Sequence, residues 1–256
     1  MSDLLVDGEI LLENIKAVIF DKDGTLIDIH HYWSYIIKIR ASLVALEWFS
    51  ENEKDAIQNH LINLMGFDLE TNKMKPEGPI GIKPRSFIVN IVSEFVRSRG
   101  FDIENDEVEV LFKIVDEETS KDMSPLLKVL PGVKKLLINL SNCGIKSFIT
   151  TTDITSRAKM AMETLKFDSY FNKIIGVDLV NNSKPAADLA NLAIDNAACE
   201  SKHVVVIGDH PIDVLMGKNA NAGLNIGVLT GISNSRMFSS LNCVVMDDLR
   251  SIEIKC

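Results

Sequence analysis

The stretch AVIFDKDGTLID, residues 17–28, ends a run of apolar residues with two acids one position apart, Asp21 and Asp23, followed by Gly24 and Thr25. Two nearby carboxylates repel each other and are costly to desolvate. A counter-charge and a shared chemical task must therefore keep them together. Three further stretches carry side chains of the same kind: TTTD at 150–153, NNSKPAAD with Lys184, and GDHPID with Asp209 and Asp213. Asp21, Asp23 and Asp209 together call for a hard cation that prefers oxygen, such as Mg²⁺. A phosphate would add negative charge, which the cation and Lys184 can neutralise. Thr151 and backbone N–H groups at a helix start can donate to phosphoryl oxygens. One carboxylate can attack phosphorus and form an aspartyl-phosphate. A second acid two residues on can protonate the leaving oxygen and then activate water.

The elements that would position these residues follow from apolar patterning. KAVIF, residues 16–20, is short, β-branched and aromatic, and predicts a buried strand stopped by turn chemistry. Residues 31–128 show helical spacing of apolar residues and no convincing strand, with KMKPEGPIGIKPRS as a loop between helices. From Pro131-Gly132 onward strand and helix alternate: IKSFIT, KIIGV, HVVVIG and NIGVL as strands, with NCVVM the last. Asp153 is placed to cap the helix that follows IKSFIT. Alternation of this kind predicts an α/β fold, a doubly wound parallel sheet with helices on both faces. The helical block interrupts it as an inserted cap, giving a core of residues 1–30 and 129–256 and a cap of residues 31–128. In such sheets the ligand site lies beyond the carboxyl ends of the strands, and each of the four polar stretches falls at such an end.

The chain resembles the haloacid dehalogenase superfamily of phosphohydrolases, on DKDGT at 21–25, Thr151, Lys184-Pro185 and GDHPID at 208–213. SKPAAD, GDHPID and GVLTG are similar to its phosphoglycolate-phosphatase-like branch with a helical cap. The resemblance spans residues 16 to about 231. It implies Asp21 as nucleophile and Asp23 as general acid/base. It implies Mg²⁺ on Asp21, the Asp23 backbone carbonyl and Asp209, with Asp213 nearby, and a phosphoryl group on Thr151 and Lys184. Thr152 stands where many relatives have Asn, and its hydroxyl can still donate there. The implied activity is hydrolysis of a small phosphomonoester, with a sugar phosphomutase as the alternative within the family and a catalytically silent binding protein as the alternative outside it.

Taken singly, DKDGT reads as a turn, GDHPID as a loop with a cap, and Lys184 as a solvated lysine; their order at successive strand ends favours chemistry. His31, at the entrance of the helical block, and Arg85, in the Pro/Gly-rich loop with Lys83, are the candidates for substrate contact. Tyr32 and Trp33 read as helix packing. With 256 residues and a net charge of −9 there is no basic run to suggest nucleic acid or an anionic membrane as partner. No apolar run approaches a membrane span. Cys143, Cys199, Cys243 and Cys256 match no zinc spacing and read as reduced thiols of a cytoplasmic protein. A small phosphorylated metabolite is the expected partner.

Overall fold

A computed structural model describes residues 2–80 and 83–256. The chain divides into two compact units, one of residues up to Ile29 plus Leu127–Cys256, the other His30–Leu126.

In chain order the first unit opens with β1 (Asp3–Val6), β2 (Glu9–Leu12) and β3 (Ala17–Phe20). The second unit takes over within α1 (Ile29–Trp48). It continues through α2 (Lys54–Leu64), β4 (Phe67–Asp68), β5 (Lys73–Met74), α3 (Arg85–Ser98) and α4 (Asn105–Lys121). The chain returns to the first unit with α5 (Val133–Asn142), β6 (Lys146–Thr150), α6 (Thr155–Thr164), β7 (Lys173–Ile175) and α7 (Asp188–Ala197). It finishes with β8 (Val204–Gly208), α8 (Pro211–Asn219), β9 (Leu224–Val228), α9 (Ser235–Phe238), β10 (Val244–Met246) and β11 (Ile252–Lys255).

Six strands form one sheet in the order β10-β9-β8-β3-β6-β7, every neighbouring pair parallel. The central strands β3 and β8 are almost continuously apolar, and β6 is buried from Ser147 to Thr150, as expected of strands covered by helices on both faces. On one face α7 presents Leu189, Ala190, Ala193 and Ala197 to Ala17, Ile19, Phe148 and Val206. The three alanines keep that helix close to the strands. On α8, a Cβ at Gly217 would stand 1.9 Å from Asn225 Oδ1 and 2.9 Å from Val206 Cβ, so this helix also lies tight on the sheet. Register brings Phe20 level with Ile149 on one side and Ile207 on the other, so the residues that follow all three strands emerge together.

Four features depart from the sequence reading. Residues 2–15 carry β1 and β2, which join β11 in a separate three-stranded antiparallel sheet. Their partner lies at the far end of the chain, beyond the expected last strand. The helical unit holds a short antiparallel pair, β4–β5, too brief to leave a period-2 pattern. Asp153 is not the cap of α6: the helix begins at Thr155, whose N–H donates to Asp178 Oδ1 at 2.7 Å. Asp153 instead accepts from Ile154 N and faces Lys22. Lastly, Cys143 and Cys256 form a disulfide with Cα atoms 5.7 Å apart. The reading of reduced thiols fails for this pair, because α5 packs on the unforeseen β11. Cys199 and Cys243 are free. Among the described residues no helix is long and apolar enough to cross a membrane.

Candidate active site

Asp21 follows β3, and its amide donates to Ile207 O of β8 at 2.8 Å. The chain then turns sharply: Leu26 N and Ile27 N both reach Lys22 O, and Gly24 N reaches Ile27 O. Gly24 takes φ = +90°, where a side chain is strained, and a Cβ there would stand 2.5 Å from the Asp209 carboxylate. On the other side, a Cβ at Gly231 would stand 1.7 Å from Asp209 Oδ2. The Asp209 carboxylate therefore fits between two backbone segments that carry no side chain at the point of approach.

Lys184, in the loop before α7, reaches into this site fully buried. Its Nζ donates to Asp21 Oδ1 at 2.5 Å and to Asp213 Oδ1 at 2.6 Å. Asp213, in the first turn of α8, accepts from His210 N on its other oxygen at 3.1 Å. Asp209, after β8, is 3% exposed and accepts from Ile232 N at 3.2 Å. Oxygens of Asp21, Asp209 and Asp213 lie within 4.8 Å of one another.

The electrostatics are those of a site short of positive charge. Burial lifts the Asp21 carboxyl from 3.8 to about 6, against the pull of Lys184 and with a push from Asp213. Burial also raises Asp209 well above the ordinary range, and Asp21 and Asp213 add to it. Burial works against the Lys184 ammonium, yet Asp21 and Asp213 outweigh it and hold that group above its usual value. Three carboxylates against one ammonium leave room for a divalent cation, and an all-oxygen donor set suits a hard one.

Asp23 stands to the side of this cluster. Its Oδ1 accepts from Lys22 Nζ at 2.9 Å, and Lys22 is also 3.3 Å from Asp153 Oδ2. Burial raises the Asp23 carboxyl, Lys22 lowers it, and Asp153 and Asp21 raise it further. Thr151, at the end of β6, is 1% exposed and accepts from Asp153 N on its hydroxyl at 3.1 Å. Thr152 beside it is exposed.

The core thus brings Asp21, Lys184, Asp209 and Asp213 into direct contact or near it. Asp23 and Thr151 follow adjoining strands. The two substrate candidates lie in the helical unit. His31 Nε2 is 2.9 Å from Pro125 O. Arg85 starts α3 rather than sitting in the preceding loop, two of whose residues, Gly81 and Ile82, lie outside the described ones. Its guanidinium pairs with Glu109 at 3.0 Å and with Asp116, which Arg40 also holds at 2.9 Å. Sequence reasoning missed Lys22, whose position between two acids looks like a solvated turn. It also missed His210, whose ring accepts from Ile212 N as the cap of α8. A polar residue directly before Pro211 was the available signal.

A six-stranded parallel sheet with buried carboxylates and a lysine at its carboxyl edge, interrupted after its first parallel strand by a helical insertion, defines a phosphohydrolase of the doubly wound α/β class. The chain belongs to the haloacid dehalogenase-like hydrolases, whose family model matches residues 18–226. Pyrophosphatase PpaX of Oceanobacillus iheyensis is 22% identical over 208 residues, 81% of each chain. The phosphorylated carbohydrates phosphatase of Thermotoga maritima is 26% identical over 141 residues, 55% of this chain and 65% of that one. Among solved structures, a predicted phosphoglycolate phosphatase from Haemophilus somnus superposes with a TM-score of 0.69 at 15% identity, covering 93% of this chain and 96% of the other. Such a likeness fixes the fold, including the helical insertion.

Proposed function

We propose that this phosphohydrolase is a Mg²⁺-dependent phosphatase of small phosphomonoesters, phosphoglycolate or a sugar phosphate, acting through an aspartyl-phosphate. The observation that carries the reading is the buried Lys184 ammonium shared by Asp21 and Asp213 beside Asp209. Asp21 Oδ1 is held by Lys184, which leaves Oδ2 to attack phosphorus. As the phosphorus–oxygen bond to the leaving group breaks, Asp23 gives that oxygen its proton. Asp23 then takes a proton from water, whose oxygen attacks the phosphorylated Asp21 and releases inorganic phosphate and the free carboxylate. The Lys184 ammonium and the hydroxyls of Thr151 and Thr152 bear the phosphoryl charge through the transfer. Asp21, the Asp23 backbone carbonyl and Asp209 would hold Mg²⁺, with Asp213 at its edge through Lys184. The ion supplies charge neutralisation at the phosphoryl oxygens.

In this reading residues 31–128 set substrate choice, with His31 and Arg85 as contacts to the rest of the substrate. The test is a phosphate-release panel of phosphomonoesters and inorganic diphosphate, with Mg²⁺ and with chelator. Turnover should need the metal, and Asp21→Asn should abolish it, because an amide of the same shape cannot attack phosphorus. Full turnover in chelator sinks the metal. An isomerised sugar phosphate in place of free phosphate would assign a phosphomutase instead.

A further inference from the structure

The side chain between the two site acids is a lysine with no solvent exposure. Lys22 Nζ donates to Asp23 Oδ1 at 2.9 Å and lies 3.3 Å from Asp153 Oδ2, on the loop after β6. A residue sealed in this way does not face solvent, and two of the groups it holds are the carboxylates of Asp23 and Asp153. An apolar side chain would satisfy the burial alone, whereas a buried ammonium is costly unless paired.

We propose that Lys22 is a positioning residue of this active site: its ammonium clamps the Asp23 carboxylate to the loop after β6 and so fixes the oxygen of Asp23 that exchanges a proton with the leaving group. The inference rests on the reading of Asp23 as general acid/base. Both ends of the clamp are themselves fixed. Lys22 O accepts from Leu26 N at 2.9 Å and Ile27 N at 3.1 Å, so the turn after β3 cannot drift. Asp153 Oδ1 accepts from Ile154 N at 2.8 Å, and its backbone O accepts from Val177 N at 3.1 Å. Its N–H donates to Thr151 Oγ1 at 3.1 Å. A continuous chain of polar contacts therefore runs from Asp23 through Lys22 and Asp153 to Thr151. With Oδ1 of Asp23 taken by the ammonium, Oδ2 is left to carry the proton. When the ester bond breaks, that proton goes to the leaving oxygen and the Asp23 carboxylate is left charged beside Lys22. The next proton comes from the attacking water.

A clamp on the acid has a signature that a merely structural lysine lacks. An alkoxide leaves slowly without a proton, whereas p-nitrophenolate leaves without one. The measurement is the ratio of kcat on an alkyl phosphomonoester to kcat on p-nitrophenyl phosphate, for the full-length protein with saturating Mg²⁺. Proton transfer contributes about 10²–10⁴-fold and small misplacements cost about 10²-fold. Lys22→Met, of similar length and apolar, is expected to lower that ratio about tenfold to a hundredfold. Asp153→Ala keeps the Lys22–Asp23 pair but removes its anchor, and should lower the ratio by less. Equal losses on both substrates, or none, would make Lys22 a packing residue and overturn the proposal. If Lys22→Met does not fold, Asp153→Ala decides by the same criterion. Asp23→Asn separates the two levels of inference. A ratio unchanged in Asp23→Asn removes Asp23 as the acid and the proposal with it. A ratio lowered there but not in the other two variants leaves the acid in place and removes the clamp alone.

Discussion

Replacing Lys184 by Met should produce a stability defect that depends on pH in a stated direction. The side chain is 1% exposed, and it is the ammonium partner of Asp21 and Asp213, themselves 12% and 3% exposed. Breaking a buried pair by removing one partner costs about 3–5 kcal/mol when the other charge stays. The carboxylates have an escape, because they can bind a proton. With Lys184 present, Asp21 already titrates near 6 instead of 3.8, mainly through burial. The folded state thus holds a proton that the unfolded chain has lost. That advantage is complete below 3.8 and disappears as pH rises through about 6. Without the ammonium the carboxyl rises further, so the variant keeps this proton to higher pH than the wild type. Each pH unit over which the variant holds that proton while the wild type is ionised returns about 1.4 kcal/mol to it. Urea denaturation in chelator should therefore show a gap of about 3–5 kcal/mol near pH 8 that shrinks as pH falls toward 6. Millimolar Mg²⁺ should close part of the gap near pH 8. A gap that is constant with pH, or that widens toward acid, would refute the charge argument and reduce Lys184 to a packing residue.

Gly231→Ala would put a Cβ 1.7 Å from Asp209 Oδ2 and disturb the acceptance from Ile232 N; calorimetric titration should show divalent-cation affinity reduced at least about tenfold, and wild-type affinity would mean the loop yields freely. Cys143→Ser opens a covalent loop of 113 residues and should lower stability by about 2–4 kcal/mol in denaturant titration. Turnover should stay near wild type, since neither α5 nor β11 carries a site residue; a large loss of activity in the folded variant would contradict that.

The local chemistry of the site was legible because each of its parts is local. AVIF and VVVIG are apolar strands that need both faces covered, SFIT carries Phe148 and Ile149 beside them, and the polar residue after each must emerge at the carboxyl edge. With Lys184 in the loop after a further strand, the order of these stretches gave the expectation of one edge for Asp21, Thr151, Lys184 and Asp209; the structure joins Asp21, Lys184, Asp209 and Asp213. The sequence also separated the helical insertion from the sheet, because a period of 3.6 differs from a buried run.

Tertiary structure alone decided how the charges are shared out. Lys184 could have been a lone phosphate ligand; the fold makes it the common partner of two aspartates, 163 and 29 residues away along the chain. Lys22 could point anywhere from its turn; the parallel neighbour β6 delivers Asp153 to it, 131 residues on in the numbering, and the ammonium turns inward. Asp178 rather than Asp153 caps α6, because β7 returns the chain to that helix start. Arg85, at the start of α3, is drawn to Asp116 across the α3–α4 pair, where Arg40 also arrives. The hairpin β1–β2 waits for β11 at the other end of the chain, and with β11 comes the pairing of Cys143 with Cys256. A sequence specifies which residues are apolar, charged or strained within a few positions of one another. Which distant charge meets which is set only when the strands take their order in the sheet, since a buried ion must pair with whatever that order brings within reach.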